Sequence, residues 1–331
     1  GDDFRFVRAW WEVPSSALVS LESGSNQQAY RVATHGRTSW CSFAKGGAYS
    51  PFYQDLTLVV RWTDDGYEIR NFTDHRTGYV FSRYRGAERY FEPGFTYADR
   101  ASSRFAARVL PEGSIISVKG SGIYCGPPAS AWPMLAIMNS LIFTRLMELL
   151  LGTVELAKSY QVNTVGRVPW PTISFEQKER LGVAALEGWK LAFLLDRTVA
   201  TSHAFVVPAL IDASCSSLSI SQRQWTVTLE ETWSRLNKIR QGIDQLALRG
   251  YGLSDYDSSA IEQASAGVGL EVQDSNGEES FLSANVIPLT SQLAEYILGS
   301  AVGYWDIRYT TGQKPVPDPP DPFAPLPICP P

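Results

Sequence analysis

Nine arginines between residues 61 and 108 are the side chains best suited to chemistry in this chain: Arg61, Arg70, Arg76, Arg83, Arg85, Arg89, Arg100, Arg104 and Arg108, with no lysine among them. A guanidinium presents a planar fork that matches phosphate oxygens and guanine edges, which an ammonium does not. The chemistry such residues support is recognition rather than bond-making. Seven acids share the window, so the alternative is a solvated face of ion pairs. Upstream, Lys45-Gly46-Gly47 lies between aromatic residues and before Tyr49, Phe52 and Tyr53. This turn could approach a phosphate backbone or close an ordinary hairpin; P-loop spacing is absent.

Catalytic patterns fail one by one. Gly120-Ser121-Gly122, with Gly126 beyond, has the look of a nucleotide loop. Such a loop must open a helix and be followed by an acid about 20 positions on. Pro127-Pro128 follows instead, so the expectation is a glycine-rich turn and no cofactor held by this chain. Asp318-Pro319-Pro320-Asp321 resembles the D-P-P-aromatic signature of amino-methyltransferases, but Asp321 stands where the aromatic must stack on a flipped base. No G-x-S-x-G, H-E-x-x-H or Walker A motif occurs. The three histidines and four cysteines are scattered without C-x-x-C, which argues against a metal site and against a disulfide framework. Asn71-Phe72-Thr73 is a chance glycosylation sequon.

The arginines must be carried by folded elements, and the composition supplies them. The 331 residues suggest two or three domains, and 44% apolar residues are enough for a real core. No apolar run of about 18 residues exists, so no membrane association and a cytoplasmic location are expected. The chain starts without Met and stops in a proline-rich run, which suggests a piece of a longer protein. Residues 1–125 hold 15 basic and 13 acidic side chains, and the remainder 14 and 21. The net charge therefore changes sign along the chain.

Aromatic and β-branched runs predict strands or short buried elements over 4–13, 56–62, 115–118 and 160–168. Asp64-Asp65-Gly66 predicts a turn with Tyr67–Arg70 returning as a strand. Helical spacing predicts helices over 134–151, 175–200, 228–249 and 293–302. Pro169-Trp170-Pro171 blocks sheet pairing, and Ser174 with Gln177 forms a capping-box pattern opening the second helix. Leu181, Ala185, Trp189, Phe193 and Leu194 form its expected buried stripe. Gly250-Tyr251-Gly252 should end the third helix. Residues 265–285 are Gly-, Ser- and acid-rich and read as an exposed loop. The tail from Pro315 is expected to wrap extended on the surface.

Several segments, in order, resemble adenine-specific DNA methyltransferases. Gly1-Asp2-Asp3-Phe4-Arg5-Phe6-Val7-Arg8 with Trp10-Trp11-Glu12-Val13 resembles a segment just after their catalytic domain. Lys45-Gly46-Gly47 with Phe52-Tyr53 resembles another, although Ser50-Pro51 and Gln54 depart from it. Further similar segments are Phe91-Glu92-Pro93-Gly94-Phe95-Thr96-Tyr97, Asn139-Ser140 in its helix, Tyr251-Gly252-Leu253-Ser254, Gly303-Tyr304-Trp305-Asp306-Ile307-Arg308 and the tail from Pro319 to Pro327. The P-x-P exit followed by a long helix also resembles type I restriction specificity subunits. The last segments are similar to PglX-like methyltransferases of BREX-type phage defence and to related fused type II enzymes.

The resemblance implies an α/β (α+β) chain. Residues 1–172 would be a β-rich DNA target recognition domain, 173–314 a helical spacer, and 315–331 a proline-rich tail. It implies double-stranded DNA and the protein's own catalytic methyltransferase domain as partners. S-adenosylmethionine would be bound by that domain, not by these residues. Lys45, Arg83, Arg85, Arg89 and Arg104 are the expected DNA contacts. The rival expectation is a non-catalytic protein-interaction scaffold built on the acidic helical half. A carbohydrate-binding domain, suggested by the Trp and Tyr content, ranks third.

Overall fold

Short apolar runs flanked by turn residues pair here into small sheets, with longer amphipathic helices packed against them. A computed structural model describes residues 3–74, 76–81, 84, 86–101, 104–126, 130–151, 158–212, 217–254, 256–257, 259–261, 263 and 289–328. In chain order the strands are β1 (Val7–Ala9), β2 (Trp40–Ala44), β3 (Leu58–Arg61), β4 (Gly94–Ala98), β5 (Arg100–Ala101), β6 (Ala107–Leu110), β7 (Ile115–Ile116), β8 (Gly120–Ile123) and β9 (Lys158–Ser159). The helices are α1 (Asp3–Phe6), α2 (Gln27–Ala33), α3 (Thr63–Arg70), α4 (Trp132–Met138), α5 (Leu141–Leu151), α6 (Val162–Val165), α7 (Phe175–Asp196), α8 (Ala209–Asp212), α9 (Leu218–Gly250) and α10 (Leu289–Ala301). The mixed α/β class expected from the sequence is the one observed.

One sheet has the order β1-β3-β2-β7 and a second β6-β4-β8, while β5 and β9 form a separate pair. In the first, β3 is antiparallel to both β1 and β2, and β7 joins β2 in parallel. This topology overrides the expected return strand at Tyr67–Arg70. Both edges of β3 are already taken by β1 and β2, so the segment closes as part of α3 instead. The turn itself forms as expected, with Asp64, Asp65 and Gly66 all at positive φ. Thr34 holds it by accepting the Asp64 and Asp65 N–H groups at 3.0 and 2.9 Å. The segment Gly120–Ile123 is likewise strand β8 rather than a turn.

The helix expected over 134–151 is two helices, α4 and α5, bent by 58°. The break falls at Asn139 and Ser140. The Asn139 side chain is buried and leaves the helix to bond the backbone of β6. Ala107 N–H donates to Asn139 Oδ1 at 2.9 Å, and Asn139 Nδ2 donates to the Ala107 and Leu135 carbonyls at 2.9 and 3.0 Å. Ser140 caps α5 by accepting the Phe143 N–H. No single described helix is long and apolar enough to cross a membrane; α4 and α5 reach that composition only as the bent pair, and most of their apolar residues are in the core, Leu149 and Leu150 being exposed.

The strand expected over 160–168 is also replaced. Only Lys158–Ser159 is extended, and Gln161 accepts N–H bonds from Thr164 and Val165 to start α6. The long helix after the proline hinge forms as its local sequence dictates. Gln177 N–H donates to Ser174 Oγ at 3.2 Å, and Ser174 N–H to Gln177 Oε1 at 2.9 Å. Leu181, Ala185, Trp189 and Phe193 are buried, while Leu194 is 42% exposed and Leu195 takes the inward place. α7 lies directly on Phe52: a Cβ at Gly188 would come within 2.9 Å of that ring. α9 is longer than expected and ends at Gly250, with Gly252 in the left-handed region.

The largest buried cluster joins Phe95, Leu135 and Ile137 to Leu181, Trp189, Ile243 and Phe323. It therefore draws on both sides of residue 172. The proline-rich tail is not confined to the surface. Phe323 is 5% exposed, its ring 6.0 Å from Phe95 and 5.4 Å from Trp132. The tail backbone is held as well, by Glu112 N–H on the Phe323 carbonyl and Ser20 Oγ on the Leu326 carbonyl. Burying the Phe323 ring stabilises the docked tail.

Removing the Asn139 amide leaves the Ala107 N–H buried without an acceptor. Asn139→Ala and the bulkier Asn139→Leu should both lower the free energy of unfolding by about 2–3 kcal/mol, as read from urea titration. A full recovery of stability in Asn139→Leu would show that volume, not hydrogen bonding, holds the helix break.

Candidate nucleic-acid interface

The arginine window divides into residues that brace the fold and residues that project. Arg61 pairs with Glu68 at 3.4 Å, and Arg70 with Asp65 at 3.1 Å, where Arg31 of α2 also binds at 2.7 Å. Arg89 sits on the turn Ala87–Arg89, paired with Glu92 at 2.7 Å and stacked 4.9 Å from the Tyr124 ring. Its side chain is still 45% exposed. Arg104 reaches Asp244 of α9 at 3.4 Å and is only 15% exposed. It ties the strand-bearing half to α9 rather than presenting a cation to solvent. Arg83 and Arg85 lie outside the described residues, as does the stretch 265–285.

Lys45 follows β2 and lines a groove of 310 Å³ together with Trp62, Phe72, Phe81, Tyr84 and Lys119. The Arg70 guanidinium lies 5.5 Å from both the Trp62 and Tyr84 rings. Tyr84 is 43% exposed, and in the sequence it stands between Arg83 and Arg85. The structure thus brings Lys45, Lys119 and Arg70 to one aromatic groove.

Beside this groove stands a hairpin that sequence reasoning did not single out. Thr73 and Val80 pair antiparallel, Phe81 N–H bonds the Phe72 carbonyl at 3.0 Å, and Asp74 N–H bonds the Tyr79 carbonyl at 2.8 Å. Asp74 shapes the tip, its Oδ1 accepting the N–H groups of Arg76 and Thr77 at 2.8 and 3.1 Å. Gly78 supplies the positive φ the turn requires. The foot is an aromatic stack: Phe72 lies 5.2 Å from Phe6 and 5.5 Å from Phe81. Arg5 covers Phe6 and Phe72 at 5.2 Å and is tethered by its ion pair with Glu68. Above this foot Arg76 is exposed and Tyr79 is 55% exposed. Arg76 has no ion-pair partner among the described residues. The available signal was an Asp and a Gly four apart between aromatic residues. A two-stranded ribbon fits a major groove about 12 Å wide.

A second polar cluster joins residues far apart in sequence. His203 Nδ1 lies 2.9 Å from Asp55 Oδ1, both side chains 6% exposed. Tyr53 OH donates to Asp196 Oδ2 at 2.8 Å and Ser202 Oγ to the same oxygen at 2.5 Å. Tyr53, Asp55, Ser202 and His203 border a cavity of 520 Å³ walled by Trp10, Trp189, Phe193 and the proline tail, with Asp196 behind them. Ser202 bonds Asp196 rather than His203, so the hydroxyl is not aligned for activation by the imidazole. Burial, followed by the nearby Asp55 charge, pushes the Asp196 carboxyl up to about 6.

A carboxyl raised in the folded state above its ordinary value near 3.9 destabilises the fold when ionised. The cost is present above pH 6 and is relieved as pH falls through 6. Asp196→Asn keeps an acceptor for Tyr53 and Ser202 but cannot ionise. Between pH 7.5 and 5 the parent should gain stability relative to this variant, on the order of 1 kcal/mol per pH unit below 6. Parallel pH profiles in denaturant titrations would refute the assignment.

No protein-family model matches the chain. Two curated proteins do. The adenine-specific methyltransferase PglX of Lacticaseibacillus casei (strain Zhang) is 24% identical over 265 residues, 77% of this chain and 20% of that protein. The adenine-specific methyltransferase BrxX of Escherichia coli O9:H4 (strain HS) is 21% identical over 307 residues, 91% of this chain and 23% of that protein. The chain is a distant homologue of PglX- and BrxX-like adenine-specific methyltransferases, and it spans about a fifth of the length of these relatives.

Proposed function

We propose that this chain is the sequence-recognition portion of a site-specific adenine-N6 DNA methyltransferase acting in phage defence or restriction-modification. The observation that carries the reading is the arginine-tipped hairpin beside an aromatic groove flanked by Lys45, Lys119 and Arg70. The relationship to PglX and BrxX supports it. The hairpin tip enters a groove of double-stranded DNA, where Arg76 and Tyr79 meet base edges. Lys45, Arg83, Arg85 and Arg89 hold the flanking phosphates. Arg104 acts at one remove, fixing the recognition half against α9.

S-adenosylmethionine supplies the methyl group in such a reaction, and the residues here do not fit it. The one glycine pattern of the right kind, Gly120-Ser121-Gly122, is an extended strand with the Ala44 carbonyl and Gly46 N–H packed against Gly120. Among the described residues no helix opens directly from it to hold a carboxylate or phosphate; α4 begins only at Trp132. On this reading the cofactor belongs to the catalytic domain of the full-length protein. The helices from residue 173 onward clamp the recognition domain against that domain.

The competing reading, a protein-docking scaffold, draws on the exposed Ile297, Leu298 and Val302 of the α10 region. Salt separates the two. Binding of duplex DNA through several cations should weaken steeply as salt rises, whereas an apolar protein interface should not. Arg76→Ala and Tyr79→Ala should each cost about 1–3 kcal/mol of specific DNA binding, and Arg89→Ala should shallow the salt slope. In the host, single-molecule sequencing should find N6-methyladenine in one short motif that disappears when the full gene is deleted. Salt-insensitive or undetectable DNA binding by the parent chain would remove the recognition reading.

A further inference from the structure

We infer that Arg108 forms the floor of a binding site for a phosphate group, beneath the loop from Lys45 to Ser50. This site stands on its own and does not depend on the DNA-recognition reading.

Arg108 is 2% exposed in the middle of β6. The only side-chain hydrogen bond it makes among the described residues is from Nη1 to the Ala48 carbonyl at 3.2 Å, and its buried Nε has no partner. No acid pairs with it among the described residues. Burial alone accounts for its pKa, which is pushed down to about 10. A buried guanidinium without a counter-charge is among the costliest groups a fold can keep, and it calls for an anion.

Its surroundings are polar and equally unsatisfied. Thr96 is the cross-strand partner of Arg108 and of Gly122. The side chains at these positions share one face of the sheet, and Thr96 Oγ1 is buried without a partner. The Tyr124 hydroxyl, also unsatisfied, lies over Gly122 on that face, 2.9 Å from where a Cβ would be. A guanidinium and two hydroxyls are a donor set for oxyanions.

Access comes from the loop above. Gly47 and Ala48 are exposed, and it is the Ala48 carbonyl that Nη1 bonds. Gly46 and Gly47 take φ values of 84° and 142°, conformations that favour glycine. Cations and acids both lie near the loop, Asp99 donating its N–H to the Lys119 carbonyl at 3.0 Å. Lys45 begins it, the Lys119 carbonyl packs on Gly46, and Arg240 bonds Tyr49 at 3.0 Å. A phosphate replaces the Ala48 carbonyl on Nη1 and engages Nε.

The test measures inorganic phosphate binding to the whole chain by equilibrium dialysis and by thermal shift against chloride at equal ionic strength. Wild type should bind about one phosphate per chain and show a saturable rise in Tm. Arg108→Met, close in size and uncharged, should bind at least about tenfold more weakly and show no phosphate-specific rise. Should Arg108→Met fail to fold, Arg108→Lys serves instead, because a point charge cannot present Nε and Nη1 together. Duplex DNA that displaces the ion would identify the DNA backbone as the source of the phosphate. DNA that leaves it bound would identify a free ion. Absence of saturable binding in wild type, or undiminished binding in a folded Arg108→Met, overturns the site.

Discussion

The amide of Asn139 is the contact on which the packing of this molecule turns. By bonding both backbone groups of Ala107 it removes itself from the helix and fixes β6 to the junction of α4 and α5. The bend that results sends α4 along α7 and α5 toward α9. Ala107 also accepts the Phe52 N–H, so the loop after Lys45 is registered by the same residue. Phe52 in turn is the surface on which α7 lies at Gly188. One amide therefore sets the position of the sheet, the helix break and the long helix together.

Charge is divided by position. Arginines near the sheet are consumed by Asp65, Glu68, Glu92 and Asp244. The more exposed of these pairs contribute little to stability individually, but all of them fix the direction of long side chains. Arg70 is held over Trp62 and Tyr84 in this way, and Arg5 over the foot of the hairpin. Most of the paired arginines prepare a surface; Arg89, paired with Glu92 yet 45% exposed, still reaches solvent. Arg108 belongs to neither class: it is buried and unpaired among the described residues.

The tail closes the molecule across its two halves. Phe323 bridges Phe95 of β4 and Trp132 of α4, and Arg197 at the end of α7 bonds the Pro317 carbonyl. A proline-rich segment loses little entropy on docking because its backbone is already restricted. The matches to PglX and BrxX run over most of this chain, and a core shared across the proline hinge is consistent with a segment related as a unit.

The features legible in the sequence are those whose causes lie within three or four residues. Ser174 and Gln177 cap α7 because each reaches the other's backbone across one turn, and Gly252 stops the chain beyond α9 because it alone accepts a left-handed conformation cheaply. The α/β class and the buried stripe of Leu181, Ala185, Trp189 and Phe193 follow from periodicity in the same way. Tertiary structure decided the rest, because it depends on partners distant in the chain. Tyr67–Arg70 could not become a strand once β1 and β2 had filled both edges of β3. The helix over 134–151 could not stay straight once Asn139 met Ala107. His203 found Asp55 across 148 residues, and Arg104 found Asp244 across 140. Composition concentrated the arginines in one window, but only the fold separated those that brace it from the one at the hairpin tip.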